Sequence, residues 1–270
     1  MATPAEHYDA LAVPTLAERA SGQTFPLKKL HNSFKRSLID RYATGAAMLV
    51  DIACGRGNDL HKWQAAGIRR VVGVDVSGAQ IAEARRRAEG ASGHASGPRD
   101  ATFWVTSPDL AALDELDPGC ADAVTCMFAL NYFWETREDA SRLFAQARRL
   151  LRPGGVFFGV CADGARVMEF LNPRKPLPLE TDVYELVPAW SGPPAAFGSA
   201  YTLRIRDTVL DNSTPAPEYL VYWSVLREVA RAHGFEPAQE FVHVDASSLP
   251  AEALRQISRI NASFAFTLSE

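Results

Sequence analysis

Residues 50–60 read Val-Asp-Ile-Ala-Cys-Gly-Arg-Gly-Asn-Asp-Leu. The apolar run at 47–53 stops at Gly55, which predicts a buried strand ending in a tight glycine turn. Residues 58–66 predict the helix that follows, closed by Gly67. Two glycines in such a turn let a ligand approach the backbone closely, because no Cβ intervenes. A helix start also leaves N–H groups without partners. The next apolar run, 70–76, is a second strand that ends at Asp75, eighteen residues beyond Gly57. A carboxylate there can accept hydrogen bonds from both hydroxyls of a ribose.

The same alternation continues in both directions from this turn. Upstream, Leu30, Phe34, Leu38 and Tyr42 recur at helical spacing over 30–42. Downstream, Ser77 caps a helix over 78–89 and a Gly/Ser loop fills 90–100. Strands follow at 101–106 and 121–128, a long amphipathic helix at 135–151 and a strand at 156–162. Short strands alternating with helices predict βαβ units and an α/β fold, a doubly wound and mostly parallel sheet. After residue 170 the pattern breaks into a Pro-rich stretch, then an alternating strand at 199–210. Residues 171–217 read as an insertion over the substrate side, followed by a helix at 219–233 and strands at 237–245 and 260–268. The expected organisation is a flexible leader over 1–25 and one domain over 26–270, built on seven strands.

Composition excludes several classes. With 270 residues and 47% apolar content the chain can bury a full core, and 22% charged residues excludes global disorder. No apolar run reaches membrane-spanning length, and the first residues lack the basic-then-apolar order of a secretory signal. Cys54, Cys120, Cys126 and Cys161 form no C-x-x-C pair, and free thiols are expected. The six histidines show no zinc spacing, so no metal is expected. Net charge is −4, against a global polyanion binder, yet Lys28, Lys29, Lys35, Arg36 and Arg41 cluster within 26–42. Five such charges are more commonly a solvated helix face, and a contact with a polyanion is the other reading.

The glycine turn departs from the dinucleotide fingerprint G-x-G-x-x-G, because Leu60 holds the third glycine position. It also carries two acids, Asp51 and Asp59. Carboxylates repel a pyrophosphate and attract a sulfonium, which favours S-adenosylmethionine over a nicotinamide dinucleotide. The stretch resembles the class I methyltransferase motif over roughly residues 47–170.

Three further stretches narrow the resemblance. They are His-Asn-Ser-Phe-Lys-Arg-Ser-Leu-Ile at 31–39, Met-Phe-Ala-Leu-Asn-Tyr at 127–132 and Pro-Glu-Tyr-Leu-Val-Tyr at 217–222. With Asp51-Ile-Ala-Cys-Gly-Arg-Gly-Asn-Asp-Leu60 they resemble the mRNA cap (guanine-N7) methyltransferase family, whose motifs read N-N-W-x-K-S-x-L-I, Q-F-x-x-H-Y, P-E-F/Y-L-V-Y/H-F and D-L-G-C-G-K-G-G-D-L. The match spans about residues 26–268, and Pro-Glu-Tyr-Leu-Val-Tyr is its most specific part, lying outside the generic fold.

The resemblance implies methyl transfer from S-adenosylmethionine to guanine N7 of a 5′-capped RNA. It implies cofactor contacts from Asn32, Lys35, Asp51, Gly55, Gly57, Asp59, Asp75, Ser107, Met127 and Tyr132. It places Asn131, Tyr132 and Glu218 on the guanine side; by residue type, Tyr219 and Trp223 are expected as further substrate-side walls and Lys28, Lys29, Lys35 and Arg36 near the triphosphate bridge. N7 carries a lone pair and no proton, so no residue is expected to act as acid or base. Asn131 stands where the family has His, Met127 where it has Gln, Ser107-Pro108 where it has an acid followed by Ser (Asp109 being the substitute), and Ser263 near a usual Tyr. Two alternatives stay open: a class I methyltransferase of small molecules, and a silent RNA-binding or scaffolding subunit that keeps the fold. A capped RNA is the expected partner, with other capping enzymes or an activating subunit beside it, for an intracellular monomer of the nucleus or of a viral replication compartment.

Overall fold

The computed structural model describes residues 3–9, 22–91, 100–171, 179–206 and 215–269. In chain order the elements are α1 (Pro4–Asp9), α2 (Phe25–Tyr42), β1 (Met48–Ile52), α3 (Leu60–Ala65), β2 (Arg70–Asp75), α4 (Gly78–Ala91) and β3 (Asp100–Val105). Then come β4 (Ala121–Met127), α5 (Arg137–Leu150), β5 (Leu151–Ala162), α6 (Gly164–Phe170), β6 (Leu179–Glu180), β7 (Tyr184–Pro188), β8 (Ala200–Ile205) and β9 (Glu218–Tyr219). The last four are α7 (Trp223–Ala232), β10 (Phe235–His243), α8 (Glu252–Arg259) and β11 (Asn261–Leu268).

Seven strands form the main sheet in the order β10-β11-β5-β4-β1-β2-β3. The five strands from β5 to β3 are parallel, and β11 and β10 return antiparallel. β1 pairs with β2 from Met48↔Arg70 to Ile52↔Val74, so both strands end at the same edge. Strand order reverses between β1 and β4. In open α/β sheets that reversal opens a crevice at the carboxyl edge, where ligands bind.

The two faces of the sheet are buried by separate sets of helices. Leu143, Phe144, Leu226 and Val229 of α5 and α7 join Phe157, Phe264 and Phe266 on one face. Leu38, Ile39, Trp63 and Ile81 of α2, α3 and α4 cover the other. Each such side chain contributes about 1.5–3 kcal/mol on burial. The insertion forms its own antiparallel sheet, β6-β7-β8-β9, whose Tyr184, Leu186 and Tyr201 pack with α6 and α8.

The leader expected over 1–25 lies largely outside the described residues (1–2 and 10–21); within the part described, α1 docks on α4, where Asp9 Oδ1 accepts from Ser77 Oγ at 2.6 Å and from the Ala79 N–H at 3.1 Å. Two expectations are corrected. The helix at 219–233 starts only at Trp223, because Glu218 and Tyr219 pair with β8 and the Leu220 N–H donates to Ser199 O. Tertiary hydrogen bonds override local helical periodicity there. The helix over 58–66 shortens to α3, with Asp59 at its cap position and its carboxylate engaged by Lys35 and Lys62. Within the insertion, 172–178 and 207–214 lie outside the described residues.

Candidate functional site at the carboxyl edge of the sheet

The turn after β1 is held in left-handed conformations at Ala53, Gly55 and Gly57, with φ of 59°, 53° and 64°. Gly57 needs its missing side chain twice over, for a Cβ there would also meet Leu60 Cδ1 at 3.3 Å and Ala84 Cβ at 3.4 Å. The turn is locked from the side by Asp75. One carboxylate oxygen accepts from the Gly55 N–H at 2.9 Å and the other from the Ser77 N–H at 2.9 Å. Burial raises the Asp75 pKa, while these N–H groups pull it down. Each oxygen keeps a lone pair, which is what two ribose hydroxyls require.

The two turn acids do not present free charge to a ligand. Asp51, 2% exposed, accepts from Thr125 Oγ1 at 2.6 Å. Burial, followed by the nearby Asp59 carboxylate, pushes its pKa up to about 7. Asp59 lies between two ammonium groups, Lys35 Nζ at 2.7 Å and Lys62 Nζ at 2.6 Å. Burial alone would raise the Asp59 pKa, but the two lysines hold it below the usual carboxylate range. Lys62 also donates to Asn32 Oδ1 at 2.8 Å, tying α2 to α3. The electrostatic premise for a sulfonium therefore fails on geometry, because lysines invisible in the turn motif neutralise Asp59. What the cluster offers instead is one carboxylate beside two ammonium groups, a match for a ligand that carries both an amine and a carboxylate.

The substrate-side residues come from three distant segments. After β4, Phe128 adopts a left-handed φ of 61° and the chain turns through 130–133, presenting Asn131 and Tyr132. Glu218 arrives on β9 opposite Tyr201 of β8, whose hydroxyl donates to Glu218 Oε2 at 2.9 Å. Burial raises the Glu218 pKa to about 7, against the lowering effect of that bond. Tyr8 of α1 closes the group: its hydroxyl is 2.7 Å from that of Tyr132. Burial raises the Tyr8 pKa, and the charges of Glu218 and Asp75 push it further up. α1 thus touches both sides of the site, Asp9 meeting Ser77 beside Asp75 and Tyr8 meeting Tyr132.

Other expected residues fall elsewhere. Tyr219 is 8% exposed and packs in the core with Trp134 and Leu226, on the opposite face of β9 from Glu218, because successive strand residues point to opposite faces. Trp223 stacks on Phe266 with centroids 5.5 Å apart and is a core wall. Asn131 is 3% exposed, with its amide engaged by protein groups, so the donor to guanine expected at this position is not available. Ser107 lies on the exposed loop after β3 and donates to Asp109. Met127 is half-buried at the end of β4.

The family model described as the mRNA (guanine-N(7))-methyltransferase domain matches residues 2–249. The chain belongs to this family. It is 32% identical over 258 residues to mRNA cap guanine-N(7) methyltransferase 1 of Arabidopsis thaliana, covering 88% of this chain and 68% of that protein. It is 30% identical to mRNA cap guanine-N(7) methyltransferase of Saccharomyces cerevisiae, covering 86% of this chain and 56% of the yeast protein. Among solved structures, a S-adenosylmethionine-dependent methyltransferase from Clostridium acetobutylicum superposes with a TM-score of 0.60 at 13% identity, covering 90% of this chain and 92% of that one. A Pyrococcus horikoshii protein superposes with a TM-score of 0.61 at 14% identity, covering 95% and 100%. These structural neighbours share the class I methyltransferase fold.

Beside the expected residues, the structure brings in Tyr8, Lys62 and Tyr201, which the motif reading did not single out, and it gives His31, the first residue of the 31–39 motif, its own partners. Tyr8 sits in a weakly patterned segment, and Tyr201 reads only as one residue of the alternating strand at 199–210. Lys62 shows only as a lysine on a short helix, although it is 1% exposed. His31 stacks on Phe128 at 5.0 Å and its Nε2 lies 3.0 Å from Ser258 Oγ. Burial and the nearby Lys35 charge lower its pKa to about 4, so this imidazole is neutral near pH 7. Among the described residues no cluster could hold a metal ion, and no helix is long and apolar enough to cross a membrane.

Proposed function

We propose that this chain transfers the methyl group of S-adenosylmethionine to N7 of the guanine in a 5′-capped RNA. The observation that carries this reading is α1, which bonds through Asp9 to Ser77 beside Asp75 and through the Tyr8 hydroxyl to Tyr132, next to the Asn131–Tyr201–Glu218 hydrogen bonds. A residue at the end of the second strand and one from beyond the insertion are thereby linked through the same helix. Family membership supports the substrate class.

When bound, S-adenosylmethionine supplies an electrophilic methyl on a sulfonium. Asp75 accepts from its ribose hydroxyls, backed by the Gly55 and Ser77 N–H groups. Asp59 and Lys35 pair with the ammonium and carboxylate of the amino-acid end, while Lys62 and Asn32 hold them in place. Glu218 accepts from guanine N1–H and N2–H, donors that adenine does not offer as a pair. Because N7 has no proton to lose, the site needs alignment and water exclusion and no general base. Orientation of this kind lowers the barrier by up to about 7–11 kcal/mol. A carboxylate at the guanine edge also favours the positive charge that develops on the methylated ring. Tyr132 and Phe128 supply the aromatic surfaces. Such chemistry belongs with other capping enzymes at the place where transcripts are made.

The test is methyl transfer from labelled S-adenosylmethionine to GpppN-capped RNA, with uncapped RNA and free GTP as comparisons. Label at guanine N7 of the capped RNA is expected. Cofactor binding with no label in capped RNA, or equal label in a small amine, overturns the reading.

A further inference from the structure

The amide of Asn131 is a knot between strands. Its Oδ1 accepts from the Ala162 N–H at 3.1 Å. Its Nδ2 reaches the Tyr219 carbonyl at 3.1 Å, the Ala162 carbonyl at 3.3 Å and the Tyr201 hydroxyl at 3.3 Å. Two N–H bonds facing three acceptors leave nothing for a ligand. The Tyr201 hydroxyl, on a side chain 0% exposed, passes its own proton toward Glu218 Oε2 at 2.9 Å. The bonds run in one direction, amide to hydroxyl to carboxylate, and each donation polarises the next donor. Tyr201 and Glu218 are also direct partners in the β8–β9 register, which leaves the hydroxyl little freedom to choose another acceptor.

We propose that Asn131 and Tyr201 form a relay that positions the Glu218 carboxylate and favours its charged form for the purine. The proposal rests on Glu218 being the guanine acceptor. Asn131 and Tyr201 are positioning residues, acting through Glu218 without touching the substrate. This is the physical sense of an amide at 131: it donates to Tyr201 at every pH, whereas an imidazole would change its charge near neutrality.

The groups that face Glu218 are the hydroxyls of Tyr201 on β8, Tyr132 after β4 and Tyr8 on α1. Burial pushes the Glu218 pKa up to about 7, and the Tyr201 bond is what opposes it. Removing that hydroxyl lets burial act alone, so Glu218 is charged only at higher pH. The pH profile of kcat/KM for capped RNA reports this group in the free enzyme.

The experiment compares Tyr201→Phe, Asn131→Leu and Glu218→Gln with the unaltered chain, with GpppN-capped RNA as substrate and thermal melting and calorimetric S-adenosylmethionine affinity as controls. In Tyr201→Phe the acidic limb moves to higher pH, giving about a tenfold loss near pH 6.5 for each unit of displacement and a closing gap near pH 8.5. Asn131→Leu moves the limb the same way by less. In a Glu218→Gln background the limb is absent and Tyr201→Phe adds no pH dependence. An unmoved limb in folded, cofactor-binding Tyr201→Phe overturns the relay. If the unaltered chain does not methylate capped RNA, or Glu218→Gln keeps full turnover, it is the guanine-acceptor reading that falls. Should Asn131→Leu fail to fold, Tyr201→Phe alone decides, since Phe retains the buried ring.

Discussion

The hydroxyls of Tyr8 and Tyr132 lie 2.7 Å apart, joining the first helix of the chain to the turn after β4. The same helix is anchored on the other side by Asp9 on Ser77 and by Gln80 Nε2 donating to the Tyr8 carbonyl at 2.9 Å. α1 therefore spans the carboxyl edge from the ribose side to the substrate side. Tyr8→Phe deletes one buried hydrogen bond and leaves the Tyr132 hydroxyl unmatched, a loss of about 1–3 kcal/mol. The expected outcome is a melting temperature lowered by a few degrees together with weaker binding of both S-adenosylmethionine and capped RNA, read by calorimetry. Unaltered affinity for both would remove α1 from the site.

Asp59 and Lys62 differ in what their removal leaves behind. Asp59→Ala leaves two ammonium groups facing each other, one of them 1% exposed, and breaking a buried pair in this way costs about 3–5 kcal/mol. Lys62→Met leaves Asp59 still paired with Lys35. Melting should fall further for Asp59→Ala than for Lys62→Met, and cofactor affinity should fall in the same order. The opposite ranking would place the structural weight on Lys62. The Asp59 pKa is depressed, so its contribution is present at neutral pH and disappears as acid protonates it.

Asp51 has the opposite sign. Its folded pKa is raised to about 7, so the advantage of its neutral form is full at acid pH and is lost as pH rises through that value. Asp51→Asn keeps an acceptor for Thr125 and removes the buried charge. Its melting temperature should exceed that of the unaltered chain by more near pH 8 than near pH 5. A pH-independent difference would contradict the raised pKa.

Asp75→Asn retains one oxygen acceptor and replaces the other with a donor facing an N–H group. The fold should survive, because the β1–β2 register does not depend on this side chain. S-adenosylmethionine affinity should fall by about tenfold to a hundredfold, as expected when a charged acceptor worth about 1.5–3 kcal/mol is lost. Retained affinity would dissociate Asp75 from the ribose.

The main sheet was readable because its parallel strands are nearly continuous apolar runs between helices of regular period. Buried strands such as Val71–Asp75 need apolar residues on both faces, and that demand is visible one residue at a time. Gly57 and Asp75 were readable for a related reason: a left-handed turn and a strand-end carboxylate are local requirements. The start of α7 was not, since the hydrogen bonds that hold Tyr219 and Leu220 extended come from Asn131 and Ser199, far away in the chain.

Sequence by itself determined the α/β class, the glycine turn, the acid at the end of β2 and the family to which the chain belongs, because each depends on residues close together in the chain or on motifs matched in order. Only the tertiary structure decided which charges are free. Asp59 reads as an anion until Lys35 and Lys62 are seen on either side of it, and Asn131 reads as a ligand contact until three strands are found to occupy its amide. Charge and hydrogen-bonding capacity are settled by neighbours in space. Those neighbours arrive from segments as far apart as α1 and β9.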